Sequence, residues 1–71
     1  MNTLVDWYLI ENAKKIRVIF KDGNELICSG NGLEFGEDIE EEEDIFFVGS
    51  QGKSMMIPVS EIEDVVLIEG K

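Results

Sequence analysis

Apolar and polar positions alternate most clearly within Lys15 to Gly30, KIRVIFKDGNELICSG. Ile16, Val18 and Phe20 point one way, and Arg17, Ile19 and Lys21 point the other. Period-two alternation of this kind is the mark of a half-buried strand. Asp22-Gly23 follows as a tight turn, because Gly23 can take positive φ without steric cost. The next run alternates again, with Leu26 and Cys28 facing in and Glu25, Ile27 and Ser29 facing out. The two runs form a hairpin to which the downstream segments add further strands.

Before the hairpin, residues 3–12 read as a short helix. Thr3 can cap it, with Asp6 three residues on. Leu4, Tyr8 and either Trp7 or Glu11 fall on one side, Val5 and Leu9 extend the apolar stripe, and Ile10 lies beyond it. Asn12 suits the stop, and Lys14 and Lys15 suit the negative end of the dipole. A helix this short does not stand alone, so it is expected to lie on the sheet with Trp7 as a lid over the core.

After the hairpin, Ser29 to Gly36 (SGNGLEFG) predicts a strand bent at Gly30 and Gly32 and resuming at Leu33 and Phe35. Glu37 to Asp44 (EDIEEEED) is acidic at every position but Ile39. Like charges at that density repel, which predicts an exposed loop. Ile45 to Val48 (IFFV) is a strand with Ile45 and Phe47 opposite Phe46 and Val48. Gly49 to Gly52 is a turn, and Lys53 to Val59 is a strand with Pro58 near its end or on an edge. Ser60 and Glu63 form a capping box that predicts one helical turn above a buried Ile62. Asp64 to Glu69 is the last strand.

This order resembles the Sm-like branch of the SH3-like small barrels over about residues 3–69. IRVIFKDGNELICSG is similar to the first Sm motif, and IPVSEIEDVVLI to the short turn and closing strand. The resemblance implies a mainly β fold: a five-stranded, strongly bent antiparallel barrel with an N-terminal helix over one end. The chain is similar to small bacterial or phage regulators of this type, such as the Rho-terminator inhibitor family, which implies action on a nucleic-acid-binding protein. RNA-binding Sm proteins use an Asp and an Asn after the bent strand and a basic or glycine-containing loop before the last one. Here no Asn follows Asp38, and Val59-Ser60-Glu61-Ile62 has no Arg-Gly pair. The family's RNA site therefore maps onto no residue of this chain.

Length sets one domain, residues 1–71, small enough to be marginal unless well packed or assembled. The single Cys allows no internal disulfide, so a reducing, cytoplasmic setting is expected. The first fifteen residues lack a cleavage-like small-residue site, and no signal peptide or membrane span is expected. With no His, acid–base chemistry at neutral pH would need a shifted carboxylate, Lys or Tyr. Cys28 reads as a buried small hydrophobe with no base beside it. The acidic loop lacks the Asp-Gly spacing of a calcium site. These features point away from an enzyme, and no cofactor or metal is expected.

Charge supplies the functional expectation. The net charge is -10. Residues 1–23 carry four bases against three acids, whereas residues 24–71 carry two bases against thirteen acids. Such a field attracts basic partners and repels phosphate backbones. The expected function is a small non-enzymatic regulator or adaptor that binds another protein with a basic surface, for example a nucleic-acid-binding one, through Glu37, Asp38, Glu40, Glu41, Glu42, Glu43 and Asp44. Ile39 would be its apolar anchor, and Glu34 and Glu61 would belong to the same field. The plainer reading is a loop that only keeps the protein soluble. A competing expectation is an Sm-like nucleic-acid module using Lys14, Lys15, Arg17 and Lys21; another is an oligomeric barrel with a purely structural role. Ile19, Ile27, Phe46 and Met56 fall on the predicted outer face. Some of them are expected to pack on the N-terminal helix and the rest to form a homo-oligomer contact, most simply a dimer.

Overall fold

The computed structural model describes residues 6–36 and 43–70. One short helix precedes five strands: α1 (Trp7–Ile10), β1 (Lys15–Phe20), β2 (Glu25–Glu34), β3 (Ile45–Ser50), β4 (Lys53–Pro58) and β5 (Ile62–Glu69). The strands form one sheet in the order β4-β3-β2-β1-β5, and every neighbouring pair is antiparallel. β4 and β5 are its two edges, so the sheet is open rather than closed on itself.

The hairpin lies where alternation places it. Ile16 pairs with Cys28 and Val18 with Leu26, and Ile16, Val18 and Cys28 are buried. Gly23 closes the turn at φ +94°. The Phe20 N–H donates to the Asn24 carbonyl at 2.8 Å.

β2 bends as expected and resumes at Leu33, but it ends at Glu34, so Phe35 lies beyond the strand and is exposed. Its first half pairs with β1 and its second half with β3, with a register shift between Gly30 and Gly32. Gly32 takes φ +124°, a conformation open to glycine but strained for other residues. The bulge is fastened to β3 by the Ser29 hydroxyl, which donates to the Gly49 carbonyl at 3.2 Å. Gly30 serves a different purpose. Its N–H donates to the Ala13 carbonyl at 2.9 Å, and a Cβ there would run into the Ile10 carbonyl oxygen and lie 3.0 Å from Glu11 backbone atoms. The absence of a side chain lets the end of α1 press onto the sheet.

α1 is shorter than the sequence predicts. Asp6 is its N-cap, with extended backbone and Oδ1 accepting from the Tyr8 N–H at 3.1 Å. The expected cap, Thr3, lies outside the described residues. The buried side is also different. Ile10 is in the core, whereas Tyr8 and Leu9 face solvent. Trp7 and Ile10, three residues apart, share the inward face of a single turn. Trp7 does cover the core, meeting the Phe46 ring edge-on at 4.9 Å between centroids.

Phe46 corrects the expected register of β3. It was expected on the outer face as an oligomer contact, yet it is fully buried and Phe47 is the half-exposed ring. Phe46 stands opposite Leu33 on β2 and Ile57 on β4, and both neighbours pack with it in the core. A one-residue change of register exchanges the two faces of a strand, and IFFV is apolar on both.

The Ser60 capping box is also corrected. The turn before β5 is a 3-10 turn, Val59–Glu61, whose N-cap position is Pro58 with no side-chain cap bond. Ser60 lies inside the turn, and its hydroxyl donates to Glu43 Oε2 at 2.6 Å. Ile62 is buried as expected.

Candidate functional site

The acidic segment leaves the sheet at the end of β2 and returns at the start of β3. Those two strands are paired at Glu34 and Ile45, so the ends of the segment are held a ladder spacing apart. Three hydrogen bonds then fix its return. The Gly36 N–H donates to Asp44 Oδ1 at 2.9 Å. The Val59 N–H donates to the Asp44 carbonyl at 3.0 Å. Ser60 holds Glu43. Gly36 is buried and Asp44 is half-buried. Asp44 is therefore a structural clasp rather than a free contact residue, while Glu43 is exposed with its carboxylate anchored. Glu37, Asp38, Ile39, Glu40, Glu41 and Glu42 lie outside the described residues.

The turn before β5 belongs to the same end of the molecule. Besides Ser60 on Glu43, the Lys21 N–H donates to the Glu61 carbonyl at 3.0 Å. Glu61, Glu63 and Asp64 thus follow the loop's base directly in space. Glu34, at the end of β2, is exposed.

The basic residues are arranged differently. Lys14, Lys15, Arg17 and Lys21 are all exposed. From Lys15 to Lys21 the chain runs the length of a strand, roughly 20 Å at the usual rise per residue. Arg17 Nε lies 3.4 Å from Glu25 Oε1, so the middle of this row is an ion pair.

The expected oligomer residues divide three ways. Met56 is 60% exposed and Ile27 is 43% exposed, Ile19 is half-buried, and Phe46 is in the core. Ile27 stands beside Arg17, which in turn stands beside Val66, so a small apolar row crosses the outer face of β2 and β5 on either side of an arginine.

Cys28 is buried in the core, and burial pushes its thiol up from 9.0 to about 11. A thiol held protonated is a poor nucleophile. Among the described residues no group of three or more His, Cys, Asp or Glu is placed to hold a metal ion, and no helix is long and apolar enough to cross a membrane.

Sequence reasoning missed two surface features. One is a polar hollow of about 340 Å3 beside the β3–β4 turn, lined in part by Ser29, Asn31, Gln51 and Lys53. Its residues come from separate strands, so no local motif marks it. The other is the open edge of β5, where Val66, Leu67 and Ile68 are 41%, 41% and 46% exposed. Strand order alone creates it. No protein family, curated protein or solved structure matches the chain.

Proposed function

We propose that this protein is a small, non-enzymatic adaptor that binds a basic protein through the acidic segment 37–44 and the acids adjoining its base. The observation that carries the reading is the clasp between Gly36 and Asp44, 2.9 Å across. Beyond the Glu34–Ile45 pairing, the clasp fixes where the acids leave and rejoin the sheet, which supports a defined contact surface. Holding both ends lowers the entropy lost when the intervening acids order against a partner. The clasp consumes Asp44 and anchors Glu43, leaving Glu37, Asp38, Glu40, Glu41 and Glu42 as the contact charges and Ile39 as their apolar anchor.

The partner of best fit is a protein with a basic groove, such as one that binds nucleic acid. Spaced carboxylates offer that groove the negative charge it evolved to accept from phosphates. The fold reading that accompanies this is a small Sm-like barrel left open between β4 and β5. The bend of β2, shared by both halves of the sheet, supports it, as does the single turn leading into β5. Direct nucleic-acid binding is less well supported, because the basic residues are strung along β1 and Arg17 is paired with Glu25.

The test is binding of the partner recovered from the source cell, measured with the wild type and with Glu40, Glu41 and Glu42 changed to Gln. Loss of binding supports the reading. Unchanged binding, or loss only when Lys14, Lys15, Arg17 and Lys21 are neutralised, overturns it.

A further inference from the structure

The two edges of the sheet are not equivalent. β4 begins at Lys53 and ends at Pro58, a cation and a missing N–H of the kind that blunts an edge against further pairing. β5 has neither Lys nor Pro between Ile62 and Glu69, and its C-terminal half is open to solvent at Val66, Leu67 and Ile68.

The ladder identifies which of its groups are free. The Phe20–Asn24 hydrogen bond fixes the phase of the hairpin. Bonded pairs then alternate, so Val18 and Ile16 exchange bonds with β2 while Ile19 and Arg17 exchange them with Asp64 and Val66 on β5. Val65 and Leu67 consequently turn their N–H and C=O groups away from β1. The Val65 N–H is met by its neighbour's carboxylate, Asp64 Oδ1, at 2.8 Å, as suits a group with no ladder partner. Among the described residues, the Leu67 N–H and C=O and the Val65 C=O have no ladder partner and remain for a sixth strand.

Charge selects the occupant. β5 carries Glu63, Asp64 and Glu69 and no base, and its start adjoins the base of the acidic segment through Ser60 and Glu43. A second β5 would set acid against acid, and the chain's own β4 is blunted. We propose that the open edge of β5 receives an extended segment of the partner, alternating apolar and basic residues, as a sixth antiparallel or parallel strand. This rests on the acidic-surface reading above and gives it a docking geometry: main-chain bonds along β5, with the acids of β5 and Glu43, held by Ser60 at the start of that strand, supplying the negative charge beside it.

The probe is a short peptide alternating valine and lysine, titrated into the 15N-labelled full chain. Expected are amide shifts along β5, nuclear Overhauser contacts between peptide amides and Leu67, and roughly tenfold weaker binding on Leu67→Pro. That change removes an N–H with no ladder partner. Leu67→Lys, which puts a repelling charge at an exposed site, should weaken binding likewise if the proline variant does not fold. Shifts confined to residues 37–44 overturn strand addition while leaving the acidic-loop reading in place. Shifts along β5 that survive Glu40, Glu41 and Glu42→Gln undiminished uphold the edge and count against the loop. Shifts at β5 that follow protein concentration and ignore the peptide assign the edge to a second copy and overturn the proposal.

Discussion

Gly36 and Asp44 are joined across the acidic segment by a hydrogen bond from the Gly36 N–H to Asp44 Oδ1, 2.9 Å long. Both groups are partly or fully withdrawn from water, and the acceptor is charged. The last acid of the run thus closes the base of the segment. Asp44 also receives the Val59 N–H on its carbonyl, so one residue ties the acidic segment to the end of β2 and to the turn before β5.

Removing that clasp should cost stability. A hydrogen bond to a charged group contributes about 1.5–3 kcal/mol. Asp44→Ala should lower the unfolding free energy by that order in urea titration, and the Gly36 amide should exchange faster. Asp44→Asn, which keeps an acceptor, should lose about half as much or less. If the two variants were equally and negligibly affected, the clasp would have no energetic role.

Core and surface should separate sharply on β3 and β4. Phe46→Ala removes a fully buried ring that contacts Trp7 and should cost about 3–5 kcal/mol. For a chain of 71 residues that is a large part of an expected total of about 4–10 kcal/mol. Met56→Ala, at a 60% exposed site, should change stability by about 0.5 kcal/mol or less. Thermal melts of the two variants check the register directly, and a reversed order would restore Phe46 to the outer face.

These two residues also show why part of the fold was readable and part was not. In β1 the outward face carries Lys15, Arg17 and Ile19, two of the three charged, so alternation has a direction and the face is legible. IFFV has apolar residues on both faces, and alternation then gives a strand without saying which side is buried. Gly30 and Gly32 announced a bend because glycine weakens a strand unless a bend or close approach requires it. Ser60 was misread because a capping box is a local pattern, whereas the partner it takes, Glu43, is seventeen residues away. The site divides likewise. The run of acids is plain in the sequence, but its clasp depends on β2 and β3 being paired, and the open edge of β5 depends on the order of all five strands.

The contact between α1 and the sheet should fail at one atom. Gly30→Ala places a methyl group against the Ile10 carbonyl and Glu11 backbone, where backbone rather than a flexible side chain must move. Overpacking of this kind costs about 1–3 kcal/mol. The accompanying signal is loss of Trp7 burial, read as a red shift in its fluorescence. A destabilised variant whose Trp7 emission is unchanged would place the strain elsewhere.

Cys28 gives the protein an alkaline limit. Its folded thiol is raised from 9.0 to about 11. Below pH 9 both folded and unfolded chains hold the proton and the thiol does not affect the balance. Between pH 9 and 11 the unfolded chain ionises first, so stability falls as pH rises through that window. Cys28→Ala should be less stable at neutral pH through lost packing but show a shallower decline from pH 9 to 11. Parallel slopes for the two proteins would mean the thiol is not desolvated.

The central claim is that the clasped acidic segment is a binding surface. The most direct measurement is the dissociation constant for the partner recovered from the source cell, at physiological salt, for the wild type and for the variant with Glu40, Glu41 and Glu42 changed to Gln. These substitutions leave the Asp44 clasp and the Glu43–Ser60 bond in place, so the fold is retained. The expected affinity is at least about tenfold weaker for the variant, equivalent to about 1.4 kcal/mol, with a reduced dependence on salt. Equal affinity and equal salt dependence for the two proteins would contradict it.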